Sequence, residues 1–410
     1  MSSHISAIIS EFNPFHNGHR YLCEEAYRRT GCDHLIVLMS GNFTQRALPA
    51  VTDKYTRAAS AIAGCRSISA VFELPFIYAT GSAMDFADGA VRLLNKCGCI
   101  SSLVFGVEST DYKAFDTVSS ILVDESGDYR FLLTKSLAHG RSYPAARQEV
   151  IKKLTGRDYS DIMASPNNIL ALEYISSLRR TNSDIEPILV QRIGAGYSDT
   201  SLDSSTPSAS GIRSIMYDCD ISELYKYMPH KAADIISDFL HPINSDYLAM
   251  SVISSLIRAK CRVSSEKQLI RELTQTADIS EGIAGRLAGL SSPQSYEELT
   301  AAIKTRNVTM TRVQRCLLHL LTGVTDERRS ISKTAAPGYL NLLALNKDKT
   351  GVISEIRSDD LHIIDKKSAY SDSDILWNMD IAATALYNEI YYLSTGIALR
   401  PELTSTVRLV

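Results

Sequence analysis

Glu11-Phe12-Asn13-Pro14-Phe15-His16-Asn17-Gly18-His19, directly after the apolar run Ile5 to Ile9, reads as the end of a β-strand, a turn and the start of a helix. Asn13-Pro14 makes a sharp turn, because the proline ring fixes its own φ. Two histidines three apart around a glycine then stand beside the N-terminus of the next helix, where backbone N–H groups point outward. Such an end suits a triphosphate. Glycine lets the backbone come close to the phosphates, and imidazoles can donate hydrogen bonds to charge developing on the α- and β-phosphates. The chemistry indicated is nucleotidyl transfer, with His16 and His19 as the catalytic pair. The turn is expected to be exposed, so that alanine at either histidine would leave the fold intact.

Outward from this stretch, apolar β-type runs alternate with helical patterns. A helix through Tyr27 leads to the run Leu35 to Met39, a helix follows around Tyr55 to Ala63, and a short strand Ala70 to Glu73 ends in Leu74-Pro75. A helix near Met84 to Leu94 precedes Leu103 to Phe105, and Ile188 to Gln191 reads as a further strand. Alternation of this kind implies a parallel sheet with right-handed crossovers, whose ligands bind beyond the C-terminal strand ends. The segments that leave those ends should therefore converge: the histidine turn, Ser40-Gly41-Asn42-Phe43-Thr44-Gln45-Arg46, Glu73-Leu74-Pro75 and Gly106-Val107-Glu108. Gly41 and Gly106 would permit tight approach to a ligand.

Two later stretches join this set. Pro166-Asn167-Asn168 precedes a helical run from Ala171 to Leu178, so an asparagine there either caps the first turn or reads a ligand. Gln191-Arg192-Ile193-Gly194-Ala195-Gly196-Tyr197 puts an arginine at a strand end, and Ser208-Ala209-Ser210-Gly211-Ile212-Arg213 carries a second one turn into a helix. Both suit a grip on phosphate.

At 410 residues the chain is too long for one ordinary core, and its 45% hydrophobic and 22% charged residues describe a globular protein. No apolar stretch would span a bilayer and no charged-then-apolar leader opens the chain, so a cytoplasmic location without membrane contact is expected. Eight scattered cysteines, with Cys97-Gly98-Cys99 the only close pair, suit a reducing compartment and give no metal cluster. A net charge of -3 argues against wholesale coating of nucleic acid, yet leaves room for a local basic face at Arg28-Arg29, Arg147 with Lys152-Lys153, Arg179-Arg180, Arg328-Arg329 or Lys366-Lys367.

The second half reads differently. Ser222 to Leu321 is largely helical, with three-and-four apolar spacing in Asp246 to Ile257 and Arg312 to Leu321. Beyond Pro337, a strand Tyr339 to Ala344, a helix Thr350 to Ile356 and a strand Leu361 to Ile364 suggest a small α/β unit, closed by a helix from Asp372 to Leu393. Three pieces follow: residues 1–217 as an α/β nucleotidyltransferase domain, 218–335 as a helical domain and 336–410 as the small α/β unit.

The series EFNPFHNGH, SGNFTQRALPA, ELP, MDFADGAV, FGVES, SPNNILALEY, QRIGAGY and SASGIR resembles, in order and approximate spacing, the tRNA(Met) cytidine acetate ligase family of H-x-G-H nucleotidyltransferases. The likeness is close over the first half and looser beyond. It implies a Rossmann-like N-terminal domain and an enzyme that uses ATP to form acetyl-adenylate and then acetylates N4 of the wobble cytidine (C34) of elongator tRNA(Met). Acetate, ATP and that tRNA would be its partners, with Mg²⁺ as the triphosphate's counterion and no protein ligand for the metal evident. Carried over by position, the ATP site comprises Ile9, Ser10, Glu11, Phe12, Asn13, Pro14, Phe15, His16, Asn17, Gly18, His19, Arg20, Tyr21, Leu22, Gly106, one or both of Asn167 and Asn168, and Arg192.

The chain also departs from the family. Arg46-Ala47-Leu48-Pro49-Ala50 stands where the family usually has Arg-Gly-Glu-Pro-Ala, losing a glycine and an acidic residue near the expected crevice. An adenylyltransferase that makes a small nucleotide cofactor would share the logic of the first 110 residues but need no large helical half. A non-catalytic RNA-binding module would leave the paired histidines without purpose. Oligomeric state is not legible.

Overall fold

The computed structural model describes residues 3–193, 209–216, 221–239, 241, 243–290, 293, 295–306, 308–334, 336–356, 358–367, 370 and 374–410. Its centre is a sheet of eight strands: β1 (Ile5–Ser10), β2 (His34–Ser40), β3 (Ile68–Leu74), β4 (Ile100–Val107), β5 (Glu186–Gln191), β6 (Tyr339–Leu345), β7 (His362–Ile364) and β8 (Arg408–Leu409). The order is β5-β4-β1-β2-β3-β6-β7, with β8 also pairing β6. The first five strands are mutually parallel, as the alternation of strand and helix predicts.

Period-two alternation explains why this sheet is covered on both faces. Ile5, Ala7 and Ile9 of β1 and Ile36 and Leu38 of β2 enter one apolar cluster, whereas Ile8, Leu35, Val37 and Met39 enter the other. One face lies beneath the helix Ala83–Cys97, the helix Pro166–Arg180 and the helical middle of the chain, whose Val252, Leu299 and Leu317 join the same cluster. The other is covered by the helices Asn17–Thr30 and Lys54–Gly64, and by His230–Ser237, which packs on the latter. Fully burying one such aliphatic side chain stabilises by about 1.5–3 kcal/mol, so the two faces supply most of the driving force.

The C-terminal residues correct the expected domain plan. β6 pairs antiparallel with β3, joining Ala70 to Leu345 and Phe72 to Leu342, so residues 336–410 extend the N-terminal sheet and do not stand as a separate unit. Tyr339 to Leu345 is buried along its whole length, and a strand apolar on both faces needs neighbours that a small unit could not provide. The helix expected over Thr350 to Ile356 shrinks to one turn, Val352–Glu355. The closing helix runs Ile375–Thr395, with Asp374 capping it; Asp372 lies outside the described residues. The boundary expected at 217/218 also lies outside them. The helices Tyr112–Asp124, Gly127–Ala138 and Tyr143–Thr155 fill the interval before Pro166, where no element was expected. Among the described residues, no helix is long and apolar enough to cross a membrane.

Candidate active site

At the C-terminal end of β1 the chain turns through Phe12, at φ 43°, and a cis Asn13-Pro14 bond into the helix Asn17–Thr30. His16 is the N-cap of that helix. Its Nδ1 accepts from the Gly18 N–H at 3.0 Å, and the His16 N–H donates to His19 Nδ1 at 3.3 Å, a reciprocal capping box built from two imidazoles. The rings lie 3.8 Å apart between centroids, their planes tilted by 31°. A Cβ at position 18 would lie 2.9 Å from His16 Cε1, so Gly18 is required by the imidazole cap. The glycine was expected to let the backbone approach the phosphates; in the structure its small size and its N–H serve the His16 ring.

The turn is not exposed, which corrects a second expectation. Phe12 and Phe15 are fully buried and His16 is 5% exposed, because the aromatic residues at 12 and 15 enter the cluster behind the sheet. Burial, then Arg192 and Arg213, push the His16 ring down to about 3. Burial, then His16 and Arg192, also push His19 well below the ordinary histidine value, against a hydrogen bond to the Pro14 backbone. Both rings are therefore neutral near pH 7. With Nδ1 of His16 accepting, its remaining proton sits on Nε2 as a donor.

These rings face a cavity of ≈ 230 Å³ beyond the strand ends. Of the expected ATP-site residues, Ile9, Ser10, Glu11, Phe12, Asn13, His16, His19, Leu22, Gly106, Asn167 and Arg192 line it. Gly18 and Tyr21 line a small adjoining hollow with Arg192. The others lie elsewhere. Phe15 is in the core, Pro14 serves the turn, and Asn17 Nδ2 donates to the Lys226 carbonyl at 3.2 Å. Arg20 points outward to Glu24 at 2.7 Å. The structure also separates the two asparagines. Asn168 is buried, its Oδ1 accepting from Glu108 N at 2.9 Å and its Nδ2 donating to the Asp161 carbonyl at 3.1 Å; Asn167 is the one at the cavity.

Several lining residues were not foreseen as such. Phe86, Phe105, Leu170 and Tyr174 form an apolar wall from three different elements, a convergence that no local pattern reveals. Arg46 and Arg213, both expected at the crevice, do line the cavity, giving three guanidinium groups with Arg192. Arg213 is held by the Asn13 carbonyl at 2.7 Å and by Ser210 Oγ at 2.9 Å. Gly194, Gly196, Tyr197 and Ser208, expected beside these arginines, lie outside the described residues. Arg57 escaped notice altogether. Fully buried on the helix Lys54–Gly64, it donates to the carbonyls of Glu11 at 2.5 Å, Thr52 at 3.1 Å and Ser40 at 3.1 Å, and to that of Gly41, tying the ends of β1 and β2 together.

The loop after β2 carries the departure from the family pattern. Ala47 N–H bonds to the Thr44 carbonyl at 2.8 Å, and Ala47 sits at φ 56°, a left-handed conformation that favours glycine. Leu48 packs on the core beside it and lines the cavity. Gly41, expected at the ligand, is not among the residues that line the cavity. A Cβ there would lie 2.2 Å from Glu73 Oε1, so the residue is small because a buried carboxylate stands against it.

That carboxylate belongs to a second polar cluster. Lys54 Nζ bridges Glu73 Oε2 at 2.6 Å and Glu402 Oε2 at 2.9 Å, all three buried. Asn341 donates to both carboxylates, at 2.6 and 3.1 Å, and the Tyr55 hydroxyl to Glu402 at 2.7 Å. Burial works against the Lys54 charge, yet Glu402 and Glu73 outweigh it and hold the ammonium protonated. Most of the expected basic pairs prove to be ion-paired: Arg28 and Arg29 with Glu25, Lys153 with Glu149, Lys152 with Asp158, Arg180 with Asp88 and Arg329 with Asp85. Lys367 is buried against the Leu342 carbonyl at 2.7 Å, leaving Lys366 exposed beside it.

A model of the family described as HIGH Nucleotidyl Transferase matches residues 3–397. The tRNA(Met) cytidine acetate ligase of Acetivibrio thermocellus is 36% identical over 366 residues, covering 86% of this chain and 85% of its own. That of Clostridium perfringens strain SM101 is 33% identical over 397 residues, covering 94% of each. The chain belongs to the tRNA(Met) cytidine acetate ligase family. Within that family, the apo crystal structure of Thermotoga maritima TmcAL superposes with a TM-score of 0.86 at 27% identity, over 99% of each chain. The same protein bound with α-thio ATP gives 0.83 at 26% identity, again over 99% of each.

Proposed function

We propose that this chain is an ATP-dependent ligase that activates acetate as acetyl-adenylate, releasing pyrophosphate, and passes the acetyl group to N4 of the wobble cytidine (C34) of elongator tRNA(Met). The observation that carries this reading is the pair of neutral, adjacent imidazoles facing a cavity ringed by Arg46, Arg192 and Arg213. Acetate is a poor electrophile until one oxygen is exchanged for an AMP leaving group. In that displacement the acetate oxygen attacks the α-phosphorus, the bond to the bridging oxygen breaks, and negative charge grows on the departing pyrophosphate. The Nε2–H of His16 and the three guanidinium groups are suited to meet that charge without reorganisation.

ATP would lie with its phosphates toward His16, His19 and Arg192, and with Gly106 and Asn167 along its flank. Among the described residues no group of three His, Cys, Asp or Glu side chains could hold a metal, and Glu11 is the one carboxylate lining the cavity. Mg²⁺ would therefore travel on the triphosphate oxygens as their counterion, neutralising charge there. The tRNA is far larger than the cavity. Its docking on the surrounding surface through phosphate contacts would weaken as salt rises, and the cytoplasm would supply all three substrates.

The test is incorporation of labelled acetate into bacterial tRNA with and without ATP, followed by digestion to nucleosides. Label in N4-acetylcytidine only when ATP is present supports the reading. ATP turnover that leaves the RNA unlabelled would replace it with a small-molecule adenylyltransferase.

A further inference from the structure

Transfer of the acetyl group, on the reading proposed above, makes a demand that the histidines do not meet. The N4 amine of cytidine is conjugated with its ring and weakly nucleophilic. As it attacks the carbonyl carbon, the bond from that carbon to the phosphate oxygen breaks, AMP leaves with the electron pair, and one N4 proton must pass to a base. His16 has its Nδ1 lone pair engaged by Gly18 and, held down to about 3, is a poor acceptor. Arginine cannot serve at all.

Glu11 stands at the C-terminal end of β1, between the phosphate-facing histidines and the loop after β2. Its main chain is fixed by Arg57, which grips its carbonyl at 2.5 Å, and its Oε1 accepts from the Gln45 N–H at 2.8 Å. The other oxygen, Oε2, has no hydrogen bond or ion pair to a described residue. A carboxylate repels a triphosphate, so this side chain is not a phosphate ligand; pinned by one oxygen and open at the other, it is built to accept. Tyr174, lining the same cavity, offers a second polar group that a bound molecule could meet. It is 4% exposed, and its hydroxyl has no protein partner among the described residues. Burial and then the Glu11 charge keep that phenol protonated as a donor.

We infer that Glu11 is the proton acceptor of the transfer step, its Oε2 taking the N4 proton as the amide bond forms, while the Tyr174 hydroxyl donates to an oxygen of the bound acyl or base. The experiment compares full-length wild type and Glu11→Gln in two half-reactions: acetate-dependent exchange of labelled pyrophosphate into ATP, and single-turnover transfer from synthetic acetyl-adenylate to unmodified tRNA(Met). The expected result is a loss in transfer of about 10²–10³-fold, within the range for a general base, and at least about tenfold greater than the loss in exchange that a residue of the ATP cavity can also cause. Glu11→Asp, which keeps the carboxylate one methylene short, should recover part of the transfer rate. Equal losses in both half-reactions, or transfer within about fivefold of wild type, would overturn the assignment. A wild type that exchanges pyrophosphate but never acetylates RNA would instead overturn the function on which the assignment rests, and the assignment with it.

Discussion

Two polar clusters lie at the strand ends of this sheet, and they are built on opposite terms. Around Lys54, the charged groups pair with one another inside the protein: two carboxylates share one ammonium, and Asn341, Tyr55 and Thr384 donate to those carboxylates, while the Asn341 Oδ1 is buried without a partner among the described residues. Around His16, the strongest groups are left over. Oε2 of Glu11 and the Tyr174 hydroxyl have no described partner, and two imidazoles are kept neutral beside arginines. Glu11 and Tyr174 both line the cavity, where a bound substrate can reach them. The first cluster holds the C-terminal segment to the N-terminal sheet; the second is prepared for substrate.

The sharpest way to break the comparison is Lys54→Met. Removing the shared cation leaves two buried carboxylates facing each other, and a loss of about 3–5 kcal/mol is expected from a broken buried pair, read as a lower denaturation midpoint. A loss below about 1 kcal/mol would show that the cluster is not what joins the two ends of the chain. Next in size is His16→Ala, which should lower pyrophosphate exchange by about 10²–10³-fold, the scale of one lost donor to a developing charge. Because His16 is also a helix cap, the same change should cost about 1 kcal/mol of stability. His16→Asn should restore the cap but not the exchange, which separates the two duties.

A third test uses pH. His16 titrates at about 3 in the fold against 6.5 as an ordinary histidine, and between those values the unfolded chain binds the extra proton. Stability should therefore fall as pH drops through that window, by about 1.4 kcal/mol per pH unit for each such histidine. Unfolding free energies of wild type and His16→Asn, close to each other near pH 7 because asparagine keeps the cap, should separate across pH 6.5 to 4 as the wild type alone loses this share; parallel curves would deny that the imidazole is buried neutral. The smallest effect is at Ala47. Glycine there relieves the left-handed backbone but loosens the unfolded chain, and the balance should be a gain of about 0.5 kcal/mol in thermal unfolding. A loss would mean the methyl group packs more usefully than its φ of 56° suggests.

What was legible in the sequence follows the range of the interactions concerned. β1 to β5 and their helices show as apolar alternation within single segments, and the histidine pair shows because a capping box spans only three residues. The apolar wall of Phe86, Phe105, Leu170 and Tyr174 was hidden, since each residue reads locally as ordinary core. Gly18 and Gly41 were recognised as necessary, but for the wrong neighbour: His16 and Glu73 crowd them where a ligand was expected.

By itself, then, the sequence determined the parallel sheet, the place of the crevice at its strand ends, the histidines that face it and the family resemblance, because each is written in residues close together along the chain. The tertiary structure alone decided that the last strands complete the first sheet, that Asn167 and not Asn168 meets the cavity, that the turn is buried, and that one oxygen of Glu11 has no partner among the described residues. Those facts depend on pairs such as Asn341 with Glu73, 268 residues apart, and Tyr55 with Glu402, 347 apart. Contacts at that separation leave no periodic trace in a sequence; they appear only when packing brings the partners within a hydrogen bond of one another.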